Sequence, residues 1–185
     1  MIKMKTWVSA AALAACTGLA QAALVLQSNG QEVLDTETNL LWLYDWGHFS
    51  GNGTYWDGTR EWAASLTVGG AAAGDWRLPE VGEFQDLWAD ASVGGTIAGL
   101  QSHFTGVEDS YYWTSNLQSH SGTYNFYSAF FAGNGQVGSY FDLAPLQAVA
   151  VREFQPAQAL PEPASWLLAL TGSLLAMRQG RKPRR

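Results

Sequence analysis

The 185-residue chain has one cysteine, Cys16, close to its start. A body that matures without that residue forms neither a disulfide nor a thiolate metal site. Lysine is missing from residues 23–158, where Arg60, Arg77 and Arg152 face fifteen of the sixteen acids, a net charge of −12. The whole-chain value of −6 hides this, because the other cations sit at the two ends. So acidic a body repels anionic lipid and excludes nucleic acid as a partner. It attracts divalent cations and basic groups, although solubility outside the cell is the simpler consequence. His48, His103 and His120 are read as residues of polar loops, far apart, with neither the i, i+4 nor the H-x-H spacing of a metal pair. A Gly-x-Ser-x-Gly elbow and the alternating acidic calcium loop are both missing.

What is present is concentrated first at the termini. Lys3 and Lys5 precede an apolar, Ala-rich stretch from Trp7 to Leu19, and Ala20-Gln21-Ala22 is a small-x-small site. This predicts a signal peptide over 1–22, cut after Ala22 by signal peptidase. Leu13-Ala14-Ala15-Cys16 is a rival lipobox in which Cys16 would be acylated. At the other end Pro161, Glu162 and Pro163 precede the uncharged run Ala164–Met177, and Arg178, Arg181, Lys182, Arg184 and Arg185 follow. A cation cluster after an apolar run stays on the cytoplasmic side, which puts the upstream body outside. The run makes about 21 Å of helix at ~1.5 Å per residue, short against a hydrocarbon core of ~30 Å. Snorkelling of Arg178 extends it. The order of triplet, apolar segment (164–177) and basic tail (178–185) resembles the PEP-CTERM sorting signal of Gram-negative bacteria, here 159–185. The resemblance implies an exosortase-type membrane protease as partner, with inner-membrane anchoring followed by delivery to the cell surface or extracellular matrix.

Between the ends lies one domain, 23–158, long enough for a real core. Seven of the nine tryptophans fall in it, and most should be buried. Ala23–Gln27 and Leu40–Tyr44 read as strands joined by a polar turn, and Gly47–Gly58 reads as a loop. Arg60–Leu66 reads as a helix capped by Asp57 or Thr59, and Val68–Gly74 as a linker. Glu80–Ala91 is the clearest helix, with Val81, Phe84, Leu87 and Trp88 on one face and Pro79 in an early helical position. Tyr111–Ser115 is a strand. Tyr124–Ala132 and Gln136–Leu143 flank Gly133-Asn134-Gly135 as a hairpin, and Gln147–Phe154 is the closing strand. Helices first and strands later predict an α+β fold, two helices against one antiparallel sheet.

The order of these elements resembles the bacterial Lcl C-terminal domain family, once called a domain of unknown function. The matching residues are the run from Val33 to Trp42, Glu61-Trp62-Ala63-Ala64, Asp75-Trp76-Arg77-Leu78-Pro79, Glu83-Phe84-Gln85-Asp86-Leu87, Tyr112-Trp113-Thr114-Ser115 and Ala150-Val151-Arg152. The Arg-Leu-Pro helix and the terminal arginine strand also resemble C-type-lectin-like and formylglycine-generating-enzyme-like folds, which implies that architecture. Family members usually have Thr or Ser after the Leu-Pro; Glu80 stands there instead, with Gly82 in the first turn, so a weaker cap is expected.

No catalytic residue is assigned. An arginine among tryptophans and leucines reads as an anchor, and Arg77 is expected to pair with Asp75 or Glu83. A formylglycine-generating activity would need cysteines that the body lacks. No cofactor is expected; Asp57, Glu108, Asp109 and Asp142 are weak oxygen ligands for calcium, and lectin-like folds often use such loops. Asn52-Gly53-Thr54 fits the glycosylation pattern, which a bacterial source leaves unused. The expectation is an exported, non-catalytic envelope or matrix module that binds polysaccharide through exposed aromatics. A carbohydrate-active enzyme with an unidentified carboxylate pair and a self-associating matrix protein are the alternatives.

Overall fold

A computed structural model describes residues 23–49 and 55–156; the signal at 1–22, Asn52-Gly53-Thr54 and the sorting segment 159–185 lie outside them. The architecture is α+β. Strands β1 (Leu24–Leu26), β2 (Glu32–Asp35), β3 (Leu40–Leu43) and β7 (Val151–Glu153) form one antiparallel sheet in that order. Strands β4 (Tyr111–Ser121), β5 (Tyr124–Phe131) and β6 (Val137–Phe141) form a second antiparallel sheet. Helices α1 (Trp56–Ser65), α2 (Val81–Ala89) and α3 (Ile97–His103) lie between the two in sequence. The described residues thus hold two sheets and three helices, where one sheet and two helices were expected.

Each difference has a local cause. Strand β2 begins and ends in acids, which imitate a turn, but Arg152 neutralises Glu32 and the Asp35 carboxylate faces its own chain. Its Oδ1 accepts from the N–H of Glu37 (2.9 Å) and Thr38 (3.2 Å), and Asn39 then turns the chain at φ 57°. Helix α1 starts at Trp56, four residues before the expected Arg60. The backbone N–H of Trp56 finds the carbonyl of Asp142 at 2.8 Å, so a contact from β6 replaces a side-chain cap. Tyr55 is the N-cap, and neither Asp57 nor Thr59 caps. Pro79 lies outside α2, just before its N-cap Glu80. Its carbonyl accepts from Ser115 N, which holds the segment extended against β4. Helix α3 was unread because Gly94, Gly95 and Gly99 look like loop. Gly99 is there for space: a Cβ on it would come within 1.8 Å of the Val93 carbonyl oxygen.

The expected closing strand divides into two parts. Gln147 bonds to β4 through Trp113 N (2.9 Å) and Tyr111 O (3.0 Å), whereas Val151–Glu153 pairs with β3. Val151 also exchanges two 2.9 Å backbone bonds with Arg77. This short segment therefore joins both sheets.

The core is aromatic. Trp46 meets Trp42, Phe84, Phe104 and Tyr112 at centroid distances of 5.0–6.2 Å, and Phe84 stacks on Phe130 at 4.6 Å and 5°. Each such ring removes ~150–250 Å² from water, about 4–6 kcal/mol at ~25 cal/mol/Å² as an upper bound. That outweighs the about 1–3 kcal/mol for each of three buried indole N–H groups, of Trp42, Trp46 and Trp113, that find no acceptor among the described residues. Side chains alternate faces along β5. Phe130 meets α2 through Phe84, while Tyr127 stacks on Trp56 of α1, so the two helices approach opposite faces of the second sheet.

Candidate functional site

The motif residues from Trp42 to Arg152 build structure rather than a cleft. The Arg77 guanidinium forks onto Glu83 at 2.8 and 2.6 Å and reaches Glu153 at 3.3 Å. The Glu83 hydrogen bond is the main cause of an Arg77 pKa above its ordinary value. Of the two expected partners, Glu83 is the one Arg77 takes; Asp75 accepts from Ala72 N at 2.7 Å instead. The same Glu83 accepts from Glu80 N at 2.7 Å, and Asn116 of β4 accepts from Val81 N at 2.6 Å. These two bonds hold the start of α2, which makes the missing Thr or Ser less costly than expected.

Arg152 performs the second neutralisation. Its Nε donates to Glu32 at 2.7 Å, Asn29 donates to the other Glu32 oxygen at 2.5 Å, and its guanidinium lies 5.4 Å from the Trp76 ring. Trp76 donates its indole N–H to Val68 O at 3.2 Å, and Leu78 is buried beside it. Trp62 packs edge-on against Phe49 at 4.9 Å. Sequence reasoning missed Glu32, a carboxylate only 2% exposed. Its strand is separated from that of Arg152 by β3, so no local pattern signals the pair.

The histidines are spread over the fold. His48 lies in a single 3-10 turn, His103 ends α3, and His120 is in β4, paired with Asn125 at 2.5 Å. The last two were expected in loops; short or polar strands and helices disguise themselves that way.

Around the start of α1, beside the first residues of β5 and the end of β6, half-exposed Tyr55 and exposed Asp57 and Arg60 surround the buried ring of Trp56. Trp56 and Tyr127 stack at 3.7 Å and 8°, and the Trp56 indole donates to Thr114 O at 2.8 Å. Arg60 lies 5.6 Å from the Trp56 ring and 3.7 Å from Asp57. Asn125 donates to Asp142 Oδ2 from its backbone N–H (3.2 Å) and its amide (3.4 Å). The other oxygen, Asp142 Oδ1, is buried and finds no donor among the described residues. Burial, then the charges of Asp57 and Asp142, push the Tyr127 hydroxyl above its ordinary pKa, and Arg60 partly offsets them. Tyr55, half exposed, begins the helix. The fold thus brings Asp57 and Asp142, 85 residues apart in numbering, to one tyrosine. Glu108 and Asp109 precede β4, and Glu108 accepts from Gln147 at 3.0 Å. Among the described residues no three acidic, histidine or cysteine side chains form a group that could hold a metal ion.

The model of the Lcl C-terminal domain matches residues 31–152. The chain belongs to the Lcl C-terminal domain family. That match covers every strand and helix except β1 and the last residue of β7. Membership marks this Lcl C-terminal domain as one of a secreted or surface type. No curated protein and no solved structure matches the chain. No helix among the described residues is long and apolar enough to cross a membrane, and Ala164–Met177 lies outside them.

Proposed function

We propose that this Lcl C-terminal domain is an exported, non-catalytic module that binds polysaccharide at the cell envelope or in the extracellular matrix. The observation that carries this reading is the face on which exposed Tyr55, Asp57 and Arg60 and half-buried Tyr127 surround the buried ring of Trp56. It combines the exposed Tyr55 ring with charged hydrogen-bonding groups. Sugars use both: ring faces stack on aromatic side chains and hydroxyl groups donate to carboxylates. The terminal segments supply the address. Signal peptidase removes the leader after Ala22, and an exosortase-type protease acts near Pro161-Glu162-Pro163. The tail holds the chain in the inner membrane until then. We also read the architecture as C-type-lectin-like, because the closing strand returns to the first sheet while the β4–β6 sheet stands apart.

A glycan array probed with the full chain tests the binding. Tyr55→Ala together with Arg60→Ala should weaken capture at least tenfold. Tyr124→Ala, on the other face of β5, should leave it unchanged. Equal loss in both variants, no capture by the unsubstituted protein, or turnover of the bound glycan would each end this reading.

A further inference from the structure

The second sheet ends at β6, whose outer edge meets no strand among the described residues. Asp142 N donates to Asn125 O at 2.9 Å, and Gln136 O accepts from Phe131 N at 2.8 Å. Backbone groups alternate sides along an antiparallel strand. Even-numbered residues from Gln136 to Asp142 therefore face β5, and Val137, Ser139 and Phe141 turn their N–H and C=O groups outward. Of these groups only the Phe141 carbonyl has a backbone partner among the described residues, Ala144 N at 2.9 Å. Two of the other edges are answered: Val151 of β7 bonds to Arg77, and the first half of β4 bonds to Gln147 and Pro79. The last edge, β1, is only three residues long.

Natural edges are guarded by charge, proline or a bulge. Strand β6 has none of these: Val137-Gly138-Ser139-Tyr140-Phe141 is uncharged, and its register with β5 is unbroken. Val137 and Phe141 are 38% and 44% exposed, and Tyr124 of β5 and Leu143 just after β6 add exposed apolar surface. We propose that this edge pairs with the same edge of a second copy of the chain, antiparallel about a two-fold at Ser139, so that two three-stranded sheets become one. That register sets Val137 of each copy opposite Phe141 of the other, and Ser139 opposite Ser139. Charge selects a second copy over a basic partner. Two bodies of net charge −12 repel each other, and an uncharged strand is where they can meet. A basic partner finds no carboxylate on this strand, and Asp142 at its end is already held by Asn125. Five residues a side is little against the ~20–30 of a standard interface, so the dimer is reversible. A two-fold normal to the sheet keeps α1 of both copies on the same side. One consequence rests on the proposed function: a long polysaccharide then meets two binding faces at once.

Sedimentation equilibrium of the full chain in density-matched detergent tests this. The unsubstituted protein should show a reversible monomer–dimer equilibrium that tightens with added salt, which screens the repulsion between two acidic bodies. Ser139→Lys and Ser139→Glu each set like charges against each other and should weaken the dimer about tenfold. Ser139 is exposed, so both variants should melt as the unsubstituted protein does. An equimolar mixture of the two should restore the dimer, because lysine then faces glutamate. Leu26→Lys, on the exposed β1 edge, should leave association unchanged. A protein that stays monomeric at every concentration overturns the proposal. So does a Ser139→Lys variant that dimerises like the unsubstituted protein, a mixture that stays apart, or an equal loss in Leu26→Lys. Glycan takes no part in these measurements, so their failure leaves the glycan-array result standing.

Discussion

The two ends of α2 treat acids in opposite ways. At its start Glu83 is answered three times, by both arms of the Arg77 guanidinium and by the backbone N–H of Glu80, at 2.6–2.8 Å. Charge and dipole agree there. At its finish Asp86 and Asp90 oppose the dipole and each other, and Asp90 Oδ2 has no donor among the described residues. Both ends belong to one nine-residue helix. The difference lies in what the surrounding chain offers. Arg77 arrives from the Asp75–Pro79 run and is fixed by Val151, whereas the β2–β3 turn brings only Glu37 and Thr38. Glu32 and Glu83 are each matched by an arginine; Asp86 and Asp90 form no ion pair among the described residues.

Substitution can break this contrast, beginning with the most deeply matched pair. Arg152→Met should remove about 3–5 kcal/mol in urea denaturation, because Glu32, with a side chain 3% exposed, is left charged without its cation. A loss below 1 kcal/mol would mean that the pair is dispensable. Tyr112 sharpens the comparison from the neutral side. Burial, less the hydrogen bond from Glu108 N and with some help from the Glu108 charge, pushes its hydroxyl up to about 12 from 10.0. The folded state holds this proton more tightly than the unfolded chain. Its contribution is therefore whole below pH 10 and disappears as pH rises from 10 to 12, about 2–3 kcal/mol in all. Denaturation at pH 9 and pH 12 should show a steeper alkaline loss for the unsubstituted protein than for Tyr112→Phe. Glu83→Gln should come next, at about 1–2 kcal/mol, since Arg77 is partly solvated and keeps Glu153. Asp86→Asn should be smallest and of opposite sign, a gain of about 0.3–0.8 kcal/mol in urea denaturation. A destabilising Asp86→Asn would erase the contrast between the two ends.

Much of the frame was legible in the sequence. The Gly133-Asn134-Gly135 hairpin, the apolar stripe of α2 and the pairing of Arg77 depend on neighbours within a few residues, where patterns are reliable. Strand β2 and the early start of α1 were not legible, because their causes lie about 70–120 positions away. Glu32 becomes a strand residue through Arg152, and Trp56 becomes helical through Asp142 and Tyr127. The candidate face was half visible. Asp57 and Asp142 stood out as acids in loop-like sequence, but only the fold joins them to Tyr127. The unmatched acids at the end of α2 gave no signal, since Asp86 and Asp90 look like the ordinary solvated side of an amphipathic helix.

The segment from Gln147 to Phe154 has a mechanical consequence. Beyond Phe154 the chain leaves a strand bonded to β3 on one side and to Arg77 on the other, with Phe154 N itself donating to Asn39 O at 2.9 Å. Tension applied from the carboxyl side meets this staple before it reaches either helix. Several backbone bonds share the load, so a pull from that end is resisted before the face at the start of α1 unravels.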